Sequence, residues 1–525
     1  MKYYLGGVMP VFSDADLFRR IAVENPWWAD TQSAGEATRG LGARRLFDVV
    51  LRVVADRNRK DIPVIVGPRQ TGKTTIIRQV IARLIAAGAP ARSIVYLSMK
   101  RPAYSDVEPA AMIKLYLSRL KTDVTPQPLV IFDDVHYLKD WRIRLTELID
   151  LFPSVRFLAA TSLGGPTTRG DADKPDRTID LALPPLSFQE FLTLRGAEEG
   201  LFRSRIDQDR NKTMLYLDQR GVVLLNEQFQ QYLNLGGFPE VAADRRSTAH
   251  GVADKLDEIA DRLLSSELPG RVGIQDTREL QRLFSLLAWQ TGDEFSIDGL
   301  AQAIGVAKNT LKRQLDYLES AGLIRRTHRL DEDGQRFQRA VTFKVHLTAP
   351  TMRAALFGPV GVEDPVMTKI AETAVIGQYL SDPNLDRVMY ARWTSRNIDV
   401  VVCDPVTDKP TELYEIIWEE SGLKEARRFT ALTGFKKRNE DVLKVQALTQ
   451  TTAGGANISG VDIRYLPVAA YCYWVGKQVS DRLADYYLGP GASAAASERR
   501  PAPVIASPQQ QTAAAGGGLF DPAAE

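Results

Sequence analysis

The segment that most constrains the fold is residues 61–88, where a short apolar stretch, a glycine-bearing turn and a longer amphipathic stretch follow one another. The turn, GPRQTGKT, fits the pattern G-x-x-x-x-G-K-[ST] at every fixed position. This order predicts a buried strand, a phosphate-binding loop and a helix that ends at glycine. Glycines let the loop wrap so that its N–H groups point at phosphate oxygens, and the helix adds its positive end. A chance glycine-rich turn would not explain the strand and helix around it.

The parts of this loop have separate expected roles. Lys73 is expected to reach the β- and γ-phosphates, and the hydroxyl of Thr74 is expected to bind Mg²⁺. The predicted cofactors are therefore ATP and Mg²⁺. The residues predicted to contact the nucleotide in the loop are Gly67, Pro68, Arg69, Gln70, Thr71, Gly72, Lys73, Thr74 and Thr75.

Two adjacent aspartates follow a second apolar stretch, in PLVIFDDVHYL. Unpaired buried carboxylates are costly, so this strand should end beside something that needs negative charge. Asp133 is predicted to hold Mg²⁺, and Asp134 takes the position that polarises the attacking water, where Glu is usual. Asp is one methylene shorter, and a misplacement of ~1 Å can cost about 100-fold in rate. We therefore expect the short side chain to impair ATP binding less than ATP hydrolysis. The alternative for Asp134 is a solvated acid at the strand end.

A helix-turn-helix pattern occupies SIDGLAQAIGVAKNTLKRQLDYLESAGLI, and a predicted hairpin follows it. Residues 300–345 hold nine Lys or Arg against five Asp or Glu. DNA is therefore a candidate partner through residues 300–345. The alternative is a module that packs as a spacer or dimer contact. The cations proposed for phosphate contact are Lys308, Lys312, Arg313, Arg325, Arg326, Arg329, Arg336 and Arg339.

The phosphate loop and IFDDVH resemble those of AAA-type P-loop ATPases of bacteria and archaea. LPPLSFQEFL (183–192) and YLNLGGFPEVA (232–242) are similar to the group that carries a winged helix and a C-terminal nuclease-like domain. The resemblance implies that Thr161 or Ser162 senses the γ-phosphate. It also implies that Pro239 lies near adenine, as in the related STAND switch ATPases. Arg177 would be an arginine finger, acting in its own subunit or in a neighbour of a homo-oligomer; the alternative is a surface arginine.

The segment from residue 391 to residue 435 resembles the PD-(D/E)XK nuclease core. The resemblance implies a possible second site in which Glu372, Asp399 and Glu415 supply the acids for Mg²⁺. The lysine expected two residues after the second acid is replaced by Ile417, which puts cleavage in doubt. Lys424 is the candidate replacement. An inactive scaffold and a nuclease both remain open.

The predicted fold class is α/β: a P-loop NTPase parallel sheet with a helical lid, then a winged helix, then a second α/β nuclease-like domain. The predicted boundaries are 1–40 for an N-terminal segment, 41–196 for the ATPase core, 197–285 for the lid, 286–350 for the winged helix-turn-helix, 351–487 for the nuclease-like domain and 488–525 for a disordered tail.

Three functions agree with these features. The first is a Mg-ATP-binding AAA/STAND-type ATPase whose nucleotide state controls the C-terminal region. The second is a DNA-binding switch with slow or no hydrolysis, and the third is an ATP-gated DNA nuclease. No stretch of ~18 apolar residues and no signal peptide are seen, so we expect no membrane partner and a cytoplasmic location. The two cysteines are expected to be buried and reduced.

Overall fold

The computed structural model divides the chain into two compact units, Met1–Leu183 and Pro184–Glu525. Each unit is described by itself below. Residues 491–525 of the predicted tail lie outside the described part of the chain, as do Arg339 and Lys424. The described residues are 13–105, 107–120, 127–164, 177–207, 212–244, five positions between 254 and 264, 276–337, 342–394, 396–423 and 425–490.

The first unit is built on a five-stranded sheet whose neighbouring strands are all parallel, in the order β2-β3-β4-β1-β5. Strands β1 to β4 are almost wholly buried, as the continuous apolar runs of a sheet covered on both faces require. The predicted P-loop NTPase sheet is confirmed. The strands are β1 (Ile62–Val66), β2 (Ile94–Ser98), β3 (Leu129–Asp133), β4 (Arg156–Thr161) and β5 (Thr178–Ala182).

Helices with one apolar face cover this sheet. In α3 the buried residues recur at the spacing of one helix face, from Leu46 through Val50 to Val54. Within the first unit, the N-terminal segment packs on β2, since Trp27 and Trp28 both donate their indole N–H to the carbonyl of Ile94. The helices are α1 (Asp14–Glu24), α2 (Ser33–Glu36), α3 (Leu46–Ala55), α4 (Lys73–Ala86), α5 (Pro109–Arg119) and α6 (Trp141–Leu151).

The second unit begins earlier than the predicted domain border at residue 196. Its first helix is capped at both ends, by the reciprocal bonds of Ser187 and Glu190 and by Gly196 in the left-handed region. The predicted helical lid also differs from the structure, because residues 203–207 and 212–216 form two antiparallel strands. The elements are α7 (Phe188–Arg195), β6 (Arg203–Asp207), β7 (Lys212–Tyr216), α8 (Gln219–Leu235) and α9 (Pro239–Ala243).

The predicted helix, turn, helix and hairpin are present in the next segment. Gly305 makes the turn with a φ of 81°, and Leu300, Ile304, Leu311 and Leu315 are buried between the helices. The elements are α10 (Thr277–Trp289), β8 (Glu294–Ser296), α11 (Ile297–Ile304), α12 (Lys308–Ser320), β9 (Ile324–Leu330) and β10 (Thr342–Leu347).

A mixed nine-stranded sheet joins this segment to the rest of the second unit. Its order is β15-β16-β14-β13-β12-β11-β9-β10-β8, and β9 pairs in parallel with β11 through Tyr390 and Ala391. The predicted border at residue 350 therefore falls inside one continuous sheet. The elements are α13 (Thr351–Phe357), α14 (Met367–Gln378), β11 (Val388–Trp393), β12 (Arg396–Cys403), β13 (Pro410–Ile417), α15 (Thr430–Arg438), β14 (Lys444–Thr449), β15 (Gly454–Ile458), β16 (Val461–Pro467) and α16 (Val468–Leu488).

The cysteines and the lengths of the helices bear on two further expectations. Cys403 and Cys472 are both buried and unpaired with one another, as predicted. Among the helices of the described residues, none is long and apolar enough to cross a bilayer.

Candidate functional site

The phosphate loop leaves the carboxyl end of β1 and closes tightly on the first unit. Gly67 lies so close to the backbone that an added Cβ would sit 1.9 Å from the carbonyl oxygen of Leu183. Gly72 has a φ of 97°, which favours glycine, and it is directly followed by α4. The hydroxyl of Thr71 donates to the carbonyl of Pro68 at 2.9 Å. The loop is therefore held in shape by its own contacts.

Lys73 is folded back into this loop. Its Nζ donates to the carbonyl oxygens of Gly67 at 2.8 Å and Pro68 at 2.6 Å. Burial lowers the pKa of Lys73 to about 8, although Asp133 and Asp134 act in the opposite direction. An anion with strong acceptor oxygens would both supply bonds to this ammonium and favour its charged form.

Asp133 ends strand β3 and is 1 % exposed. Its Oδ2 accepts the hydroxyl of Thr74 at 2.7 Å and the hydroxyl of Tyr96 at 2.8 Å. The two residues predicted to share a magnesium ion are thus in direct contact. A hydroxyl beside a fixed carboxylate is an oxygen donor set that suits Mg²⁺, which keeps several waters. Tyr96 was not found by sequence analysis.

Asp134 adopts a left-handed backbone conformation, with a φ of 58°. Its carboxylate lies 3.5 Å from the Nζ of Lys100, and its side chain is only 16 % exposed. Burial, and then the neighbouring charge of Asp133, raise the pKa of Asp134. Asp134 is thus mostly buried beside Lys100, and its role in orienting water stays a prediction.

Thr161 and Ser162 lie at the end of β4, beside the start of the loop. Thr161 accepts the N–H of Gly67 through its carbonyl at 3.3 Å, and both residues are buried. The N–H of Ser162 donates to Nδ1 of His136 at 3.2 Å. His136 links the segment after the two aspartates to the end of β4, and sequence analysis missed it. Its only sequence signal was its position two residues after Asp134.

Arg177 lies at the other end of the sheet. It precedes β5, and its carbonyl accepts the N–H of Ile62, the first residue of β1, at 2.8 Å. Strand β1 separates that point from the phosphate loop by roughly 13 Å at ~3.3 Å per residue. The guanidinium donates to the carbonyl of Lys60 at 2.9 Å and to Asp150 at 2.7 Å. The part of the prediction in which Arg177 serves the nucleotide of its own subunit is therefore wrong.

Pro239 lies in the second unit, where it is the first residue of α9. The nearby Gly237 is fixed by a bond from its N–H to the hydroxyl of Thr351. The proposed contact between Pro239 and adenine stays a prediction.

In the second unit, burial raises the pKa of Glu372 and of Glu415, and Asp399 lies close enough to each to raise it further. Asp399 and Glu415 lie on neighbouring strands, in the register that pairs Val400 with Tyr414. Burial raises the pKa of Glu372 to about 7 and that of Glu415 to about 8, where Asp399 adds to the effect. Among the described residues no group of three His, Cys, Asp or Glu side chains is arranged to hold a metal ion.

A lysine does reach these acids, but from a strand that the sequence did not connect with them. The Nζ of Lys344, on β10, donates to Oε1 of Glu372 at 2.6 Å and lies 3.6 Å from Oδ1 of Asp399. Lys424, the predicted replacement, lies outside the described residues. The available signal for Lys344 was a charged residue in the middle of the apolar strand TFKVHL.

The four described arginines of the hairpin in the helix-turn-helix segment form ion pairs within their own unit. A Cβ added to Gly334, in the hairpin turn, would lie 2.6 Å from both Asn439 and Pro410, so the turn packs against the following domain. On α12, Lys308 pairs with Asp298, and Lys312 and Arg313 are exposed cations. Hairpin arginines form ion pairs as follows: Arg325 with Asp386, Arg326 with Glu319, Arg329 with Glu294, and Arg336 with Asp408.

Two family models match separate segments of the chain. Residues 59–192 match a family model described as an AAA domain, and residues 226–363 match one described as a domain of unknown function, DUF8612. An uncharacterized protein of Methanocaldococcus jannaschii is 23% identical over 280 residues, which are 51% of this chain and 57% of that protein. One of Haemophilus influenzae is 22% identical over 290 residues, 52% of this chain and 64% of that protein. The chain spans less than two thirds of either relative.

Solved structures resemble the chain only distantly. The S. cerevisiae Hsp104:casein complex aligns at a TM-score of 0.26 and 16% identity, over 57% of this chain and 54% of that one. The replication initiator DnaA bound to AMPPCP and single-stranded DNA aligns at a TM-score of 0.21 and 12% identity. The alignment covers 52% of this chain and 86% of that one. These scores carry no structural argument. The AAA-domain match, which covers the phosphate loop and both aspartates, supports a nucleotide-binding P-loop ATPase domain in the first unit.

Proposed function

We propose that the protein is a Mg-ATP-binding ATPase of the AAA type whose nucleotide state controls the helix-turn-helix and nuclease-like parts of the second unit. The observation that carries the proposal is the 2.7 Å contact between the hydroxyl of Thr74 and Asp133, beside the inward-facing ammonium of Lys73. The ammonium of Lys73 is a cation suited to phosphate. The hydroxyl of Thr74 and the carboxylate of Asp133 are two oxygen ligands suited to Mg²⁺.

Each of these side chains has a defined part in binding and turnover. Lys73 exchanges the loop carbonyls for phosphate oxygens, and α4 directs its N-terminal N–H groups at the same anion. Thr74 and Asp133 would hold Mg²⁺, which would supply positive charge beside the phosphates. Asp134 orients the attacking water, and Thr161 or Ser162 contacts the γ-phosphate.

Equilibrium binding of a fluorescent ATP analogue with Mg²⁺, together with steady-state phosphate release, tests the proposal. Lys73→Ala should lose at least about tenfold in affinity, which is ~1.4 kcal/mol. Lys139→Ala is a control because Lys139 is an exposed lysine of the same unit, in the segment after β3. Wild type that binds no Mg-ATP contradicts the proposal.

A second candidate function is a DNA-binding switch that hydrolyses ATP slowly. Two observations favour it. The carboxylate of Asp134 forms an ion pair with Lys100, and Lys312 and Arg313 are exposed on α12. Single-turnover hydrolysis by Asp134→Glu discriminates between the candidates. A large gain in rate supports the slow switch, whereas an unchanged rate shows that the short side chain does not limit turnover.

The DNA contact of this second candidate has its own test. Electrophoretic or fluorescence binding to a mixed-sequence duplex should weaken in Lys312→Ala/Arg313→Ala, and its salt dependence should fall with the lost phosphate contacts. Arg325→Ala is the matched control because its guanidinium already pairs with Asp386. Equal binding by both variants assigns α12 to packing instead.

A further inference from the structure

Lys344 lies in the middle of β10 and reaches the acids of the nuclease-like domain from the helix-turn-helix side of the sheet. The residue is 4 % exposed, and Glu372, its closest partner, is 1 % exposed. The Nζ also lies 5.3 Å from the centre of the Tyr390 ring, which adds a cation–π contact. Lys344 is thus enclosed by an acid from α14, an acid from β12 and an aromatic ring from β11.

The charges in this cluster compensate one another. A buried ion costs several kcal/mol unless partners surround it. Burial lowers the pKa of Lys344, but Glu372 and Asp399 together shift it upward, so the ammonium stays charged at neutral pH. Asp399 is fixed further by the N–H of Ile416, which donates to its Oδ2 at 3.0 Å.

The acids do not fit a catalytic Mg²⁺ in this arrangement. A divalent ion needs the same carboxylate oxygens that face the ammonium, and like charges repel at such distances. Lys344 is also too enclosed to orient a water against a phosphate of nucleic acid. Ile417, at the position where a catalytic lysine is expected, is fully buried.

We propose that Lys344 is an internal counter-ion that takes the place of the metal in this acidic cluster, so that the cluster joins β10 to α14 and β12 instead of cleaving DNA. The helix-turn-helix segment and the nuclease-like core then form one rigid body through a buried charge. The proposal concerns the second unit alone and does not depend on ATP hydrolysis.

Mn²⁺ binding to the full chain at pH 8 without nucleotide, followed by electron paramagnetic resonance, tests this role. Wild type and Asp399→Asn should bind Mn²⁺ equally weakly. Lys344→Met, which removes the charge and shortens the side chain by only one atom, should gain a site at least about tenfold tighter. The double variant Lys344→Met/Asp399→Asn should lose that site again.

One control tests whether the loss of any lysine charge creates a metal site, and one comparison remains valid if Lys344→Met does not fold. Lys477→Met removes a half-buried lysine that pairs with Asp481 elsewhere in the same unit, and it should not gain a site. If Lys344→Met fails to fold, the comparison of wild type with Asp399→Asn still decides. Tighter Mn²⁺ binding by wild type than by Asp399→Asn, or plasmid nicking by wild type that Asp399→Asn abolishes, overturns the proposal.

Discussion

Tyr96 donates its hydroxyl hydrogen to Oδ2 of Asp133 at 2.8 Å, so a residue of β2 holds the carboxylate that ends β3. The backbone of Tyr96 is itself fixed by Asn25, which accepts its N–H at 2.6 Å and donates to its carbonyl at 2.9 Å. Strand β2 is one of the two outer strands of the sheet, and these bonds pair backbone groups on its open edge. The N-terminal segment therefore supports the proposed metal acid through Tyr96.

Tyr96→Phe should weaken Mg²⁺-dependent turnover roughly tenfold, because a hydrogen bond to a charged group is worth ~1.5–3 kcal/mol. The hydroxyl should be protonated throughout, since burial, and then Asp133, raise the pKa of Tyr96 far above its usual value. Measuring ATP hydrolysis against Mg²⁺ concentration separates an effect on the metal from one on nucleotide binding.

The matched control for this variant is Tyr116→Phe. Tyr116 is also buried in the first unit, but its hydroxyl donates to the carbonyl of Arg92 at 2.7 Å. An equal loss in both variants contradicts a positioning role for Tyr96 and assigns the effect to general destabilisation.

Gly67→Ala should lower the free energy of unfolding by about 1–3 kcal/mol and abolish nucleotide binding. The added methyl group meets the backbone of Leu183 at 1.9 Å, so the loop or β5 must shift. Thermal unfolding with and without Mg-ATP measures both effects. Gly35→Ala is the control: a Cβ there meets nothing within 4 Å, and alanine in a helix should stabilise slightly. A Gly67→Ala protein as stable as wild type contradicts the geometry.

The parts of the fold that can be predicted from the sequence are those specified by residues close together in the chain. Buried parallel strands give continuous apolar runs, and the phosphate loop has fixed residues, so β1, β3 and the loop were found together. The antiparallel strands at 203–207 and 212–216 were missed because their sequences, RSRID and KTMLY, show no clear alternation. The bonds of Tyr96 to Asp133 and of Lys344 to Glu372 join distant segments. No local pattern specifies such pairs, since tertiary packing decides them.

Nucleotide affinity should fall as the pH rises above about 8. The pKa of Lys73 without nucleotide is lowered to about 8, so the fraction carrying a charge for phosphate declines above that value. Binding favours the protonated form, and affinity should therefore drop up to about tenfold per pH unit. Lys73→Arg should flatten this dependence, since a guanidinium stays charged. Constant wild-type affinity from pH 7 to pH 9.5 contradicts the role of the Lys73 ammonium.

Arg177 should act, if it serves catalysis, on the nucleotide of a neighbouring subunit, because it lies at the opposite end of the sheet from its own phosphate loop. Arg177→Ala should then lower turnover by at least about 10³-fold with little change in ATP affinity. Mixing it with Lys73→Ala tests the direction of the contact. The first variant keeps an intact loop and the second an intact arginine, so mixed interfaces should recover part of the activity. Arg19→Ala, an exposed arginine that pairs with Asp16, controls for the loss of a surface charge. Wild-type turnover by Arg177→Ala assigns Arg177 to its contacts with Lys60 and Asp150 alone.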